Sequence, residues 1–281
     1  MSIWTQLTPS IYHRLDFGSA YGLTDVGLVR TSNEDNFLID RDLRIVAVAD
    51  GMGGHEGGDV AAHLALTALR DALLATDPQR SLADACAGGG ADGFDPDATW
   101  QDAHMSAVIA VHQAVEHANA RVYGANLRQG HGDGAGMGAT LTGFWQCLAG
   151  GPLLVFHVGD SRLYRYRKDD LALLTRDQTL YQQALEAGVS DGLPPRNLLL
   201  QAIGPAAAVA PEVKVVAPQR GDLYLLCSDG LYGTAPHAAI AQALAGADAQ
   251  SLDRCCAALV ALAKAHGSRD NITAVLALIE Q

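Results

Sequence analysis

The sequence lacks the features that mark several large classes of protein. No apolar run approaches the roughly 18 residues that a membrane-spanning helix needs. Residues 1–17 contain neither a basic stretch nor an apolar one, so no signal peptide is predicted. The five cysteines form no C-x-x-C pair and their number is odd. We therefore expect a cytoplasmic protein without a disulfide framework.

Basic residues are also scarce. Lys and Arg together number 19, against 31 Asp and Glu, and the formal net charge is -12. Such a surface repels polyanions, which predicts no binding to nucleic acid or to anionic membranes. The same surplus of carboxylates suits a protein that binds cations.

The 281 residues, of which 49% are hydrophobic, predict one globular domain spanning 1–281. Residues 86–99, rich in Gly, Asp and Ala, predict a flexible loop. Short turns between apolar runs favour antiparallel pairing. Predicted strands cover 17–24, 36–40, 44–49, 139–148, 153–158, 162–167, 222–227 and 272–279. Predicted helices cover 57–75, 102–124, 177–187, 236–245 and 251–266.

Four aspartates stand where apolar strands meet turns. Asp50 follows "IVAVA", Asp160 follows "LLVFHVG", Asp229 follows "LYLLCS", and Asp270 precedes "NITAVLAL". A single Asp at such a position is an ordinary turn residue. Four of them at the ends of core strands predict a convergence on one edge of the sheets, where mutual repulsion favours a bound cation.

Carboxylate oxygens select hard cations such as Mg²⁺ or Mn²⁺. Two such ions close together can activate a water molecule for attack on phosphorus. Arg30, in "VGLVRTSNEDNF", is a candidate for binding phosphate oxygens. Glu34 and Asp35 follow it and add carboxylates that could hold water on the metals.

Six motifs in this order resemble the metal-dependent Ser/Thr protein phosphatases of the PPM (PP2C-type) family, in their bacterial form. They are "RTSNEDNF", "ADGMGGHEGG", "MGATLT", "VGDSRLYRYR", "LCSDGL" and "SRDNITAVL", and the match as a whole spans about residues 18 to 279. The resemblance implies an α+β fold: a four-layer αββα sandwich, in which two antiparallel sheets pack face to face between helices. It also implies hydrolysis of phosphoserine and phosphothreonine by water activated at a binuclear Mn²⁺ or Mg²⁺ centre.

The resemblance also implies roles for individual residues. Asp50 would bridge two metals, Asp229 and Asp270 would complete one site, and the Gly51 carbonyl would belong to the other. Glu34 and Asp35 would reach the metals through water, and Asp160 would hold a third, weaker ion with Asp229. Arg30 would bind the phosphate. Thr140 and Asn271 would support the site, and 176–197 would form the flap beside it.

The sequence departs from the family at three points. Met52 stands where many eukaryotic members carry His, which leaves the general acid unassigned. His55, three residues further on, is a minor candidate for that role. Gln201 stands near where the family often has Arg after the flap, a change that could alter substrate affinity or flap docking.

We expect a monomer that acts on phosphorylated proteins, including a cognate Ser/Thr kinase and its substrates. Two other function classes stay open at this point. One is a regulatory binding module that keeps the fold without the chemistry. The other is a metallohydrolase acting on a nucleotide or another small phosphorylated molecule.

Overall fold

The structure is a computed structural model that describes residues 6–53, 57–76 and 96–281. Within these ranges the strands are β1 (His13–Leu15), β2 (Gly18–Asp25), β3 (Asp35–Asp40), β4 (Ile45–Met52), β5 (Gly138–Ala139), β6 (Leu141–Trp145), β7 (Leu153–Val158), β8 (Arg162–Arg167), β9 (Asp170–Leu173), β10 (Glu212–Val216), β11 (Leu223–Cys227) and β12 (Ile272–Ile279). The helices are α1 (Gly58–Ala75), α2 (Pro96–Arg128), α3 (Leu180–Glu186), α4 (Asp229–Tyr232), α5 (His237–Leu244) and α6 (Leu252–Ala265).

The strands form two sheets in which every pairing is antiparallel. The first sheet has the order β1-β2-β12-β11-β8-β9, and the second has the order β10-β7-β6-β4-β3, with β5 paired to β4. In the second sheet, Asp35 of β3 lies opposite Asp50 of β4. In the first sheet, Cys227 ends β11 two positions before Asp229 and lies opposite Ala274 of β12.

The alternation of side chains along β4 shows how the layers are built. Val46 and Val48 enter the core between the two sheets, whereas Ile45, Ala47 and Ala49 enter the core beneath α1 and α2. All five are almost completely buried. Because successive strand residues point to opposite faces, a fully apolar strand indicates a sheet that is covered on both sides.

The first sheet is covered in the same way. Tyr224 and Leu226 of β11 contribute to the core between the sheets, and Leu225 and Cys227 pack under α5 and α6. The result is the predicted four-layer αββα sandwich with antiparallel sheets. None of the described helices is both long and apolar enough to cross a membrane.

The eight predicted strands and the five predicted helices all have counterparts among the observed elements, with ends shifted by a few residues. Five short elements, β1, β5, β9, β10 and α4, were not predicted as separate elements. In β10 the side chains are half-buried or exposed, so its apolar pattern is weak.

The predicted loop at 86–99 needs one correction. Residues 96–99 are helical, because α2 begins at Pro96 rather than near residue 102. Proline suits the first turn of a helix, where its missing N–H costs no hydrogen bond. The rest of that predicted loop lies outside the described residues.

Candidate functional site

A cavity of about 350 Å³ opens where strand ends of both sheets meet. Nine of the ten predicted site residues line it: Arg30, Glu34, Asp50, Gly51, Thr140, Asp160, Asp229, Asp270 and Asn271. They come from positions as far apart in the chain as 30 and 271, and the two-sheet packing alone brings them together. Met52, Asn197 and Leu199 are further wall residues.

Asp35, the tenth predicted residue, lies behind the cavity wall and is buried. The hydroxyls of Ser228 and Thr273 donate hydrogen bonds of 2.6 and 2.7 Å to its Oδ2 atom. Burial raises the pKa of Asp35 to about 7, although these two hydrogen bonds act in the opposite direction. The carboxyl group thus joins β3 of one sheet to β11 and β12 of the other.

Asp50 occupies the end of β4, with part of its surface open to the cavity. Its backbone N–H donates to the Thr140 hydroxyl at 2.9 Å, and that hydroxyl lies 2.7 Å from Ser161 Oγ. The cavity walls remove most of its hydration, and together with Asp35 and Asp229 they raise the pKa of Asp50 well above its usual value. Ionised Asp50 therefore needs a neighbouring positive charge.

Gly51 follows Asp50 at a point of very close backbone approach. A Cβ atom there would stand 2.1 Å from the Gly58 carbonyl oxygen at the start of α1. Only glycine leaves room for this contact, which sets the first turn of α1 against the end of β4. The glycine at position 51 is thus required by packing.

Asp160 and Asp229 complete the acidic interior of the cavity. Burial, followed by repulsion from Asp229, raises the pKa of Asp160 to about 7. Burial and Asp270 raise the pKa of Asp229 to about 6, against an opposing effect of Arg30. Several carboxyl groups in one small cavity form an all-oxygen donor set, which fits a hard divalent cation by its chemistry.

Arg30 and Asp270 form an ion pair at the cavity mouth, with Nη2 of Arg30 2.8 Å from Oδ2 of Asp270. Both side chains are partly exposed. Over the described ranges, no three His, Cys, Asp or Glu side chains already converge on a single metal-binding point. Asp270 is held by Arg30 instead, and this ion pair competes with a cation for the same carboxylate.

Asn271 ties the loop that carries Arg30 and Glu34 to the start of β12. Its Nδ2 donates to the carbonyls of Val26 and Ser32 at 3.0 and 2.9 Å, and its Oδ1 accepts from the Glu34 N–H at 2.9 Å. One buried amide therefore makes three hydrogen bonds that position the cavity wall.

Several contributors to the site were missed by the sequence reasoning. Ser228 and Thr273 hold Asp35, and the Tyr232 hydroxyl donates to the Asp160 carbonyl at 2.8 Å. Arg162 stacks on Tyr232, with its guanidinium carbon 3.7 Å from the ring centroid. Ser228 stands directly before Asp229, so its position next to a predicted ligand could have indicated a role in the site. The sequence around Thr273 and Tyr232 contains no comparable signal.

His55, the minor candidate for general acid, lies outside the described residues. Met52 is a wall residue of the cavity, and its thioether has no acidic proton. Gln201 lies outside the cavity, and its Oε1 accepts the Ala210 N–H at 2.7 Å. At this position the side chain closes a loop.

Comparison with known proteins gives consistent results. The family described as Protein phosphatase 2C matches residues 29–277. A serine/threonine phosphatase, stp, of Listeria innocua is 31% identical over 261 residues, which cover 90% of this chain and 92% of that relative.

Solved structures of similar proteins extend the comparison. The serine/threonine phosphatase PstP/Ppp of Mycobacterium tuberculosis superimposes with a TM-score of 0.74 at 30% identity, covering 93% of this chain and 98% of the other. The catalytic domain of PstP, solved in complex with two manganese ions, superimposes with a TM-score of 0.69 at 30% identity, covering 93% and 98%.

Proposed function

Because the chain belongs to the protein phosphatase 2C family, we propose that it is a metal-dependent phosphatase that removes phosphate from phosphoserine and phosphothreonine in proteins. The observation that carries this proposal is the single cavity in which carboxyl groups from the ends of both sheets stand beside Arg30. An acidic interior suits divalent cations, and an arginine at the mouth suits a phosphate group.

The proposed ligands of the two principal ions come from four positions. Asp50 would contribute to both metal positions, Asp229 and Asp270 would hold one ion, and the Gly51 carbonyl would hold the other. All four residues line the cavity. The two manganese ions of the PstP catalytic domain support an assignment of Mn²⁺, or of the similarly hard Mg²⁺, to this centre.

Further acids act around this pair. We assign Glu34 and Asp35 to water molecules that surround the ions, and Asp160 with Asp229 to a third, weaker ion. Asp35 lies behind the wall and is bonded to Ser228 and Thr273, which leaves it no direct contact with the cavity.

In the reaction, the bound ions supply Lewis acidity and an activated water molecule for one-step attack on phosphorus. Arg30 binds two phosphate oxygens through its guanidinium group once its ion pair with Asp270 opens. Thr140 holds the backbone at Asp50, and Asn271 holds the loop that carries Arg30. Met52 cannot donate a proton, and we assign the protonation of the leaving serine oxygen to water in the cavity, with His55 as the alternative donor.

We further propose that residues 1–281 form one monomeric, cytoplasmic catalytic domain that opposes a Ser/Thr kinase. The core between the sheets takes residues from β3 near the start of the chain and from β12 near its end, which supports a single folding unit. The family match over 29–277 supports the same extent.

The test begins with EDTA-treated protein, to which Mn²⁺, Mg²⁺ or Zn²⁺ is returned. We expect Mn²⁺ or Mg²⁺ to restore hydrolysis of p-nitrophenyl phosphate and of phosphoserine peptides, with much slower turnover of nucleotides. Asp229→Asn should lower kcat by more than about 100-fold, since loss of even an indirect metal contact typically costs 10- to 100-fold.

The matched control is Asp71→Asn, which removes an exposed carboxylate on α1 that does not line the cavity. This variant should keep wild-type activity. Absence of activity in folded protein with every metal would favour the binding module. Faster turnover of nucleotides than of phosphopeptides would favour the small-molecule metallohydrolase.

A further inference from the structure

A second depression, which we call the side groove, lies directly against the catalytic cavity. Its volume is about 470 Å³, and it shares the wall residues Met52, Asn197 and Leu199 with the cavity. A polypeptide that places a phosphorylated side chain in the cavity therefore has neighbouring residues within reach of the groove. The inference developed from this rests on the proposed function.

The side groove is apolar, in contrast to the cavity. None of the described residues that line it is charged, although the chain as a whole carries a formal charge of -12. Leu198 and Leu200 are 44% and 45% exposed, and Pro205 and Val209 add further apolar surface. Contiguous exposed apolar surface of this kind marks a binding site more often than an isolated exposed leucine does.

Hydrogen bonds hold the groove in shape. Asn119 of α2 accepts the Gly204 N–H at 2.8 Å and donates to the Ala206 carbonyl at 3.0 Å. Gln201 accepts the Ala210 N–H at 2.7 Å, which closes the loop that forms the far wall. A preformed groove binds with little ordering cost.

The backbone of Leu199 offers a polar anchor along the boundary between groove and cavity. Leu180 N–H donates to the Leu198 carbonyl at 2.8 Å, and Leu200 N–H donates to the Gln178 carbonyl at 2.7 Å. In this antiparallel pattern the N–H and C=O of Leu199 point away from Thr179. Neither group makes a hydrogen bond with any residue in the described part of the chain.

We propose that the side groove binds an apolar side chain that flanks the phosphorylated Ser or Thr of the substrate protein. The substrate segment is extended and pairs through its own backbone with the N–H and C=O of Leu199, as an added strand does. Continuity with the catalytic cavity, the absence of charge and the unused Leu199 backbone groups all point to this occupant. Leu198 and Leu200 are then specificity-determining residues.

The experiment measures kcat/KM for matched phosphoserine peptides. Each peptide carries Leu, Ser, Asp or Lys at a single position, which is one of the two residues before the phosphoserine or one of the two residues after it. For the wild type, kcat/KM should be roughly tenfold higher with Leu than with Asp at one or more of these positions, because an aliphatic side chain is removed from water when it enters the side groove. Leu200→Asp should abolish this preference and favour Lys at the same position. Leu198→Asp should weaken it as well.

Leu185→Asp is the matched control, since Leu185 is 42% exposed in the flap helix α3 and lines neither the cavity nor the groove. It should keep the wild-type preference. Each peptide rate is divided by the rate with p-nitrophenyl phosphate, which has no flanking residues and reports on the metal centre. Equal rates for all peptides, or a Leu preference retained by Leu200→Asp, would overturn the inference. If the wild type does not hydrolyse p-nitrophenyl phosphate, the proposed function is overturned, and this inference with it.

Discussion

Single residues at the cavity mouth have competing partners. Arg30 is paired with Asp270, and its pKa is raised chiefly by that hydrogen bond, so the guanidinium group stays charged. The pair is about half-exposed, and exposed pairs contribute only about 0–1 kcal/mol to stability. An incoming phosphate or metal ion can therefore separate the two side chains at small cost.

At this scale we predict that Arg30→Lys lowers kcat/KM for phosphopeptides about tenfold, and Arg30→Ala about 100-fold. Lysine keeps the charge but cannot bind two phosphate oxygens in one plane, and a lost charged hydrogen bond costs about 1.5–3 kcal/mol. Steady-state kinetics at saturating Mn²⁺ measures the effect. Arg70→Lys changes a comparable surface pair with Asp40 and should have no effect. Full activity in Arg30→Ala would remove Arg30 from the reaction.

Among the elements, the flap is attached firmly at its base. Arg162 of β8 binds both oxygens of Asp177 at 2.8 and 2.7 Å, and Gln178 exchanges hydrogen bonds with Gly159 after β7. His157 of β7 donates from Nε2 to the Arg176 carbonyl at 3.0 Å. Burial lowers the pKa of His157 to about 4, so the imidazole is neutral at physiological pH.

This buried histidine predicts a stability change with pH. The unfolded state binds a proton at His157 below its ordinary pKa of about 6.5, whereas the folded state resists protonation until about pH 4. Stability from this group is therefore complete above pH 6.5 and is lost as the pH falls. Between pH 7.5 and 4 the free energy of unfolding of the wild type should fall by about 3 kcal/mol more than that of His157→Gln.

Urea unfolding in EDTA at both pH values measures that difference. The use of EDTA keeps metal binding from contributing to the pH dependence, and His131→Gln replaces an exposed histidine as the matched control. Parallel pH profiles for the wild type and His157→Gln would show that His157 is protonated as easily in the folded protein as in the unfolded one.

On the scale of the whole molecule, the cavity lies across the junction of the two sheets. Asp35 and Asp50 come from the sheet that contains β3 and β4, and Asp229 and Asp270 follow or precede β11 and β12 of the other. Without a cation these carboxylates repel one another across the junction, and their buried positions raise the pKa values of Asp35, Asp50 and Asp229. A bound divalent ion would join the sheets as a crosslink.

We therefore predict that Mn²⁺ raises the Tm of the wild type. At about 100 times Kd, binding adds about 2.7 kcal/mol, which corresponds to about 5 °C for a chain of this size. Asp50→Asn should lose most of the shift, and Asp71→Asn should keep it. Thermal denaturation of EDTA-treated protein with and without Mn²⁺ measures both. An undiminished shift in Asp50→Asn would place the stabilising ion elsewhere.

The sequence by itself determined the main strands and helices and nine of the thirteen residues that line the cavity, and its resemblance to the phosphatase family implied the αββα arrangement. It could do so because core strands are apolar on both faces and because the motifs at their ends carry acids in a fixed order. Short edge elements such as β10 were missed, since their half-exposed side chains have little apolar pattern.

Tertiary structure alone decided how these groups meet. The burial of Asp35 behind the wall, the ion pair between Arg30 and Asp270, and the side groove beside Leu199 depend on contacts between distant segments. Such contacts follow from the packing of one sheet on the other and from the return of the chain after the flap. Local sequence sets the direction of each side chain, but the neighbour that it meets is set by the whole fold.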